Sequence, residues 1–250
     1  MKSKNIVDYT ELWEGLYYKQ STPKNKILLH HTAGYNIESA EYWLRISSSK
    51  AYRESKYFIG VHYFIGKDGK IIKTIPEEYW AWNTGTGMSA IDKSSIAIEL
   101  DNLGYIKKLT DKTFIDIYNN KWTLISTEIN GNQKLYKLKL NNYIIYAKEL
   151  ENEWRGQKYF AIYTEPLINS LFELMEDIIN RHNIKRQIHS KNKFFPNDVS
   201  YWDGIKMINF SGIITHVQLL GKNKNGYIKW DLSPVFPYEK MVESLKLNIV

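Results

Sequence analysis

Residues 61–75 have the sequence VHYFIGKDGKIIKTI, in which an Asp-Gly pair separates two runs of β-prone residues. An Asp-Gly pair between such runs is the strongest short-range signal for a β-hairpin. We therefore predict a hairpin here, with Asp68 and Gly69 in its turn. This is the clearest structural signal in the chain, and it indicates that the fold contains a β-sheet.

Further strands and helices are predicted on both sides of the hairpin. Short apolar runs indicate strands at residues 27–29, 95–100 and 212–217. Helical periodicity is found at residues 8–19, 38–50, 166–182 and 238–247. One face of the second of these helices carries Ala40, Trp43, Leu44 and Ser47. Because strands alternate with helices, we expect an α/β fold with a central mixed β-sheet flanked by helices.

Residues from about 105 to 163 differ in character from the rest of the chain. They are rich in Lys, Asn, Ile and Tyr, and segments such as 134–140 (KLYKLKL) alternate between polar and apolar residues. Such alternation is typical of strands. We expect an inserted β-rich region of hairpins here, with a loop at residues 151–156, within a single domain of residues 1–250.

The composition limits the kinds of site that the chain can form. The 250 residues include no cysteine and carry a net charge of +7. Without cysteine there is no disulfide scaffold and no thiol nucleophile, so a transition-metal site needs histidine and carboxylate ligands. The positive charge favours polyanionic partners, which are nucleic acid, anionic wall polymers or an acidic membrane surface.

The N-terminal residues are basic, but no apolar stretch follows them. No run approaches the ~18 apolar residues of a membrane-spanning helix. We therefore expect neither a secretory signal nor a membrane span, and a chain that is made in the cytoplasm. Export would depend on another component.

Histidines that end apolar runs are the first candidates for chemistry. His30 and His216 each close a predicted strand, and Asp231 follows His216 after a polar loop. Two imidazoles and a carboxylate leave one coordination position of zinc open, as a hydrolytic site requires. A lone histidine at the end of a strand is more often a hydrogen-bonded structural residue, so the spacing alone leaves both interpretations open.

Glu99 and Lys229 are candidates for catalysis. Glu99 interrupts the apolar strand 95–100, and a buried carboxylate is normally paired, protonated or functional. The alternative is that Glu99 lies on the solvent face of an edge strand. Lys229 precedes Asp231 by two residues and so shares its side of an extended segment, where its charge could stabilise an oxyanion. Lysine is also the commonest solvated residue of this chain.

Together, these segments resemble the zinc-dependent N-acetylmuramoyl-L-alanine amidases of the type-2 class, which include phage endolysins and peptidoglycan recognition proteins. The resemblance covers residues 24–104 and 164–240. Its blocks occur in the order of the family: 27–34 (ILLHHTAG), 61–71, 81–85 (AWNTG), 95–100 (SIAIEL), 215–216 and 229–236 (KWDLSPVF). It implies a mixed sheet flanked by helices and a zinc ion in a surface groove.

The resemblance also implies the roles of the candidate residues. His30, His216 and Asp231 correspond to the zinc ligands of the family, Glu99 to its catalytic acid and base, and Lys229 to the cation beside the third ligand. Zinc would lower the pKa of a bound water from 15.7 to roughly 7. The bond cut would be the amide between N-acetylmuramic acid and the L-alanine of the peptidoglycan stem peptide.

Substrate contacts are expected from His31, Trp82 and Asn83. Trp82 and Asn83 lie in a segment that could line a groove for sugar or peptide, although tryptophan is more often a core residue. Asn83 replaces the usual histidine of the family, and the usual Asp-Pro-Gly is replaced by the sequence DLSP at residues 231–234.

Two other functions remain possible from the sequence. The first is a non-catalytic peptidoglycan-binding module, as in relatives that have lost a metal ligand. The second is a nucleic-acid-binding protein, which we do not expect because no nucleic-acid-binding motif is found. The biological setting could be phage lysis, a part of a virion or injection device, or cytoplasmic recycling of wall fragments.

Overall fold

The computed structural model describes residues 6–34, 36–131, 133–222, 226 and 228–250. Residues 1–5, where we expect no secretory signal, lie outside this described part. The strands are β1 (Ile6–Asp8), β2 (Lys26–His31), β3 (Tyr63–Ile65), β4 (Ile71–Lys73), β5 (Ser95–Leu100), β6 (Tyr105–Lys108), β7 (Thr113–Ile115), β8 (Lys121–Asn130), β9 (Gln133–Leu140), β10 (Tyr143–Trp154), β11 (Gln157–Ala161), β12 (Gln187–Ile188), β13 (Gly212–Thr215) and β14 (Asn248–Ile249). The helices are α1 (Ile37–Ser55), α2 (Ser89–Ser94), α3 (Glu165–His182), α4 (Lys191–Phe194), α5 (Gly204–Ile208), α6 (His216–Leu219) and α7 (Tyr238–Ser244).

Eight of the strands form one mixed sheet. Their order is β1-β4-β3-β5-β2-β13-β12-β14. β3 and β4 are antiparallel, and the other neighbouring strands run parallel. The predicted hairpin is confirmed, because the Gly66 N–H donates to the Lys70 carbonyl at 2.8 Å and Gly69 has a φ of 85° in the turn. Glycine adopts this conformation without strain.

Helices cover both faces of this sheet, as expected. The amphipathic helix α3 packs on one face, where its buried Leu171 and Met175 contact the core around Ile27 and Ile98. On the other face, α1 packs beside Phe64 and Ala97, and α2 and α5 cover Leu28 and Ile214. The expected α/β class is confirmed. No helix in the described part of the chain has both the length and the apolar character needed to cross a membrane.

The other six strands close into a barrel in the order β10-β11-β6-β7-β8-β9. Every strand pair in it is antiparallel. Fully buried side chains such as Ile106, Phe114, Trp122 and Leu138 fill its interior. β10 extends to Trp154, so most of the loop expected at 151–156 is strand, and the hairpins expected from the sequence form a closed structure.

The helix expected at residues 8–19 is wrong. The segment forms successive turns instead, in which the Leu12 N–H donates to the Tyr9 carbonyl and the Leu16 N–H donates to the Trp13 carbonyl. Gly15 has a φ of 78°, which interrupts helical geometry. The apolar spacing that indicated a helix reflects the burial of Trp13 and Tyr17 in the core.

Candidate active site

Parallel pairing of β2 with β5 and β13 brings the candidate residues to one edge of the sheet. His30 is paired with Glu99 in the β2–β5 register, and Leu29 is paired with Thr215 in the β2–β13 register. His216 follows Thr215 directly and begins α6. In sheets of this kind, ligand sites form beyond the carboxyl ends of the strands.

Three of the side chains converge on one point. His30 Nδ1 lies 3.1 Å from His216 Nδ1 and 3.2 Å from Asp231 Oδ2, and His216 Nδ1 lies 2.9 Å from the same oxygen. Ligand atoms at the usual zinc distances are about 3.3 Å apart on the edge of a tetrahedron. The three atoms therefore have the spacing of one face of a tetrahedral metal site, which leaves the fourth corner open.

The hydrogen bonding of His216 also fits a cation between the three residues. His216 Nε2 donates to the Thr84 carbonyl at 2.7 Å, so its Nδ1 presents a lone pair to Asp231. Burial lowers the pKa of His216 to about 4, which opposes a second proton on the ring. Burial opposes ionisation of Asp231, but the neighbouring histidines and Lys229 hold the pKa of this carboxyl well below its usual range. A shared positive charge would stabilise these facing lone pairs.

The orientation of His216 depends on a second layer of hydrogen bonds. The carbonyl of Thr84 accepts from its ring, and buried Asp92 accepts from the backbone N–H groups of Asn83 and Thr84 at 2.8 and 3.0 Å. Metal-binding histidines commonly donate their second ring N–H in this way. Asp92 was not identified from the sequence, because its effect passes through backbone groups eight and nine residues away.

Glu99 occupies an unusual position for a carboxylate. β5 lies between β3 and β2, so the alternative of a solvent-facing residue on an edge strand is wrong. Its Oε2 is buried and has no hydrogen-bond partner among the described residues. Burial raises the pKa of Glu99 to about 7, while the charges of His30 and Lys229 act in the opposite direction. The group can therefore exchange a proton near neutral pH.

Lys229 is half-buried. Its charge favours the ionised form of both carboxylates: it opposes the rise in the pKa of Glu99 and contributes to the low pKa of Asp231. The backbone of Lys229 is fixed by Arg155, a buried residue in the β10–β11 turn of the barrel. Arg155 Nη1 donates to the Lys229 carbonyl, and Arg155 Nε donates to the Pro196 carbonyl at 2.9 Å. Burial lowers the pKa of Arg155 to about 10, and the charge of Asp231 opposes that shift. No pattern in the sequence indicated this link between Arg155 and Lys229.

The other three predicted site residues lie beside this cluster. His31 is buried, with Nδ1 3.2 Å from the Tyr163 hydroxyl, and a Cβ on Gly104 would lie 2.9 Å from its Nε2. Trp82 is half-buried, and its Nε1 donates to the Tyr18 hydroxyl at 3.3 Å. Asn83 is also half-buried, and its Oδ1 has no hydrogen-bond partner in the described part of the chain.

A cavity of about 650 Å³ leads to Glu99. One wall is the face of α1 that carries Ala40, Trp43, Leu44 and Ser47, which the helical periodicity had placed together. Another part of the wall comes from the barrel. The full lining of the cavity is Thr32, Gly34, Asn36, Ser39, Ala40, Trp43, Leu44, Ser47, Phe64, Glu99, Tyr118, Asn120 and Tyr143.

Two histidines, an aspartate and a partly buried glutamate at one sheet edge form the donor set that metal-dependent hydrolases use. Within the described residues, His30, His216 and Asp231 are the one group of three potential ligands whose donor atoms all lie within 4.8 Å of one another. The sequence profile of the N-acetylmuramoyl-L-alanine amidases matches residues 20–218. The chain belongs to this family, and the expected enzyme class is confirmed. The matched region ends before Lys229 and Asp231.

Solved amidase structures are similar to this chain. One of them is the E. coli N-acetylmuramyl-L-alanine amidase AmiD, solved in complex with an anhydro-N-acetylmuramic acid peptide. The match to AmiD has 19% sequence identity and a TM-score of 0.47, and it covers 91% of this chain. The chain spans 60% of the length of AmiD in that structure. Staphylococcus aureus hydrolase AmiA has 14% identity and a TM-score of 0.48, with coverage of 98% of this chain and 83% of AmiA. Amidase LysC from Clostridium intestinale URNW has 14% identity and a TM-score of 0.45, with coverage of 98% and 100%. No curated protein sequence matches the chain significantly.

Proposed function

We propose that the chain hydrolyses the amide bond between N-acetylmuramic acid and L-alanine in peptidoglycan, with zinc as its cofactor. We also propose that residues 1–250 form a single amidase domain in which the barrel, at about 105–163, is an insertion. The convergence of His30, His216 and Asp231 is the observation that carries this proposal. Its substrate would be the cell wall, once the protein reaches it.

Zinc suits the three donors because two imidazole nitrogens and one carboxylate oxygen are ligands that it binds readily. His30, His216 and Asp231 would hold the ion. A zinc ion at this position would act as a Lewis acid and supply a water of lowered pKa. Two features of the chain support this assignment: the 2.9–3.2 Å spacing of the donor atoms and the hydrogen bond that leaves His216 Nδ1 free for a metal.

Glu99 and Lys229 would carry the proton transfer and the charge stabilisation. The ionised Glu99 accepts a proton from the attacking water at Oε2 and passes it to the nitrogen of the leaving L-alanine, so the carboxylate is regenerated. A pKa of about 7 suits both steps. The ammonium group of Lys229 offsets the negative charge that develops on the carbonyl oxygen.

We propose that Trp82 and Asn83 contact the substrate directly and that His31 supports the groove in which the substrate binds. Trp82 and Asn83 are half-buried and precede Thr84, whose carbonyl accepts from the ring of His216. His31 is buried beneath Gly104, so it would act by supporting the groove.

One pair of measurements tests this function. Elemental analysis should find one zinc per chain, and mass spectrometry of purified walls treated with the protein should find free stem peptides that begin with L-alanine. Asp231→Ala should lose both the zinc and the released peptides, whereas Asp111→Ala, a change at an exposed barrel carboxylate, should keep both. Wall binding without released peptide would contradict the proposal and favour a binding module.

A further inference from the structure

The barrel supplies part of the wall of the cavity that leads to Glu99. Tyr118, Asn120 and Tyr143 line it from the barrel, and Trp43 lines it from α1. The side chains of the three aromatic residues are well exposed, at 59% for Tyr118, 39% for Tyr143 and 66% for Trp43. Large exposed aromatic rings that share one cavity are typical of ligand-binding surfaces.

The wall segment that carries Tyr118 and Asn120 is held in place by a buried carboxylate. Asp116 Oδ1 accepts from the backbone N–H groups of Tyr118 at 2.9 Å and of Asn120 at 3.0 Å. Its Oδ2 accepts from Asn120 Nδ2 and from the ring N–H of Trp122, both at 3.0 Å. Since Trp122 is fully buried in the barrel, the segment is anchored to the barrel core. This wall is therefore a preorganised surface.

The chemistry of the lining indicates a neutral ligand. The described lining residues include no lysine, arginine or aspartate, and Glu99 is their single acid. The other polar groups are hydroxyls and amides, such as those of Asn36, Ser39 and Asn120. A subsite for the carboxylates of a stem peptide would need a cation, usually arginine. Amides, hydroxyls and aromatic rings instead match the hydroxyls, acetamido groups and apolar ring faces of N-acetylated sugars.

We propose that the barrel forms a glycan subsite, in which Tyr118, Asn120 and Tyr143 bind an N-acetylated sugar of the glycan strand against Trp43. This proposal rests on the proposed function, because it gives the barrel a role in selecting the substrate of the same site. The subsite binds sugar beyond the unit that carries the scissile bond. It therefore favours wall glycan over short fragments with a single sugar.

Calorimetric titration with the trimer of N-acetylglucosamine tests the subsite without any need for catalysis. We expect binding by the wild-type chain, at least tenfold weaker binding by Tyr118→Ala and Tyr143→Ala, and retained binding by Tyr118→Phe, which keeps the ring. Tyr57→Ala is the matched control, because Tyr57 is 38% exposed and lies outside the cavity lining. No binding at millimolar trimer, or equal binding by all variants, would overturn the proposal.

Kinetics on two substrates separates this proposal from the proposed function. Tyr143→Ala should raise KM at least tenfold for a muropeptide with several sugars, while KM for one with N-acetylmuramic acid alone and kcat for both stay within twofold. Equal losses on both substrates would overturn the glycan subsite and leave the amidase function intact. A wild-type chain that binds the trimer but hydrolyses neither substrate would overturn the function, and the binding data would still decide the subsite.

Discussion

Glu99 is partly exposed, but its carboxyl Oε2 is buried and has no hydrogen-bond partner among the described residues. Such a group is costly to a folded protein unless it is protonated or paired. The raised pKa, at about 7, follows from this burial. The neighbouring His30 and Lys229 limit the shift, so that both protonation states are accessible near neutral pH. The fold thus holds Glu99 in an environment that is unfavourable for its charge but that suits proton transfer.

Replacing Glu99 with glutamine should remove the proton acceptor while keeping the shape of the side chain. We expect kcat for wall hydrolysis to fall by about 10²–10⁴-fold, since general acid–base catalysis contributes on this scale. Zinc content should stay at one per chain, because Glu99 is not one of the three proposed zinc ligands. The measurements are peptide release and elemental analysis, with Glu128→Gln on the exposed barrel surface as the control. Activity within twofold of the wild type would refute the role of Glu99.

Sequence could identify the candidate ligands but not the residues that support them. His30 and His216 stand out because each closes an apolar run, and Glu99 stands out because it interrupts one. Asp92 and Arg155 show no such contrast with their neighbours. Their effects pass through backbone carbonyls and N–H groups, which any sequence supplies, and the contact from Arg155 to Lys229 spans 74 positions. Only the folded chain defines such partners.

Among the elements, α1 shows what periodicity can and cannot predict. The pattern placed Ala40, Trp43, Leu44 and Ser47 on one face, and these residues do line one surface. An apolar helical face usually packs on a core. Here Ala40 and Leu44 do pack against the core around Phe64, but the same face, with Trp43 and Ser47, also lines the cavity that the barrel helps to form. The position of the barrel depends on long-range strand pairing, which local periodicity does not determine.

The β10–β11 turn connects the barrel to the segment that carries Asp231. Arg155→Lys keeps the charge but loses the planar guanidinium that donates to the carbonyls of Lys229 and Pro196. We expect zinc affinity to fall about 10–100-fold, the usual effect of removing an outer hydrogen bond at a metal site. Competition with a chelator measures this change, and Lys158→Met near the same turn is the control. Unchanged zinc affinity with intact circular dichroism would show that the turn does not position the ligand.

Helix α3 is attached to the sheet by a buried acid. Glu77 accepts from the Tyr63 hydroxyl at 2.6 Å, from Arg181 Nη2 at 2.9 Å and from His182 Nε2 at 2.7 Å. Burial opposes ionisation, but the hydrogen bonds from Arg181, His182 and Tyr63 lower the pKa of Glu77 to about 2. The stability from this carboxylate is therefore complete above its ordinary pKa near 4.5 and is lost as the pH falls through about 2.

Glu77→Gln should lower the free energy of unfolding at pH 7 by up to about 3 kcal/mol, the equivalent of that pKa shift. The difference from the wild type should shrink between pH 5 and pH 2, because Glu77 of the unfolded wild-type chain takes up a proton there while the native carboxylate, with its pKa of about 2, stays ionised. Urea unfolding at pH 7 and pH 3 measures both values. Glu78→Gln, at the exposed neighbouring position, should differ little from the wild type at either pH. A deficit that is the same at both pH values would exclude this ion pair as its cause.

Across the whole molecule, local sequence signals predicted the strands of the central sheet, whereas long-range strand pairing determined the closed barrel. The hairpin and the apolar strand runs are encoded by adjacent residues, so the α/β class followed from the sequence. The barrel closes through pairs such as Tyr105 with Phe160, which are far apart in the chain. The alternation of polar and apolar residues predicts strands in this region, but it does not determine which strands pair or whether the sheet closes.

The candidate metal site also joins distant parts of the chain, since His30 and Asp231 are 201 positions apart. A ligand that binds only the folded state stabilises it by about 2.7 kcal/mol at 100 times its Kd. For a chain of this size, that energy should raise Tm by about 5–10 °C. Scanning calorimetry with the zinc-loaded and the chelator-treated protein measures the shift, and His216→Ala should abolish it. An equal Tm with and without zinc in the wild-type chain would mean that the three donors hold no ion, because a metal bound by segments so far apart must stabilise the fold that brings them together.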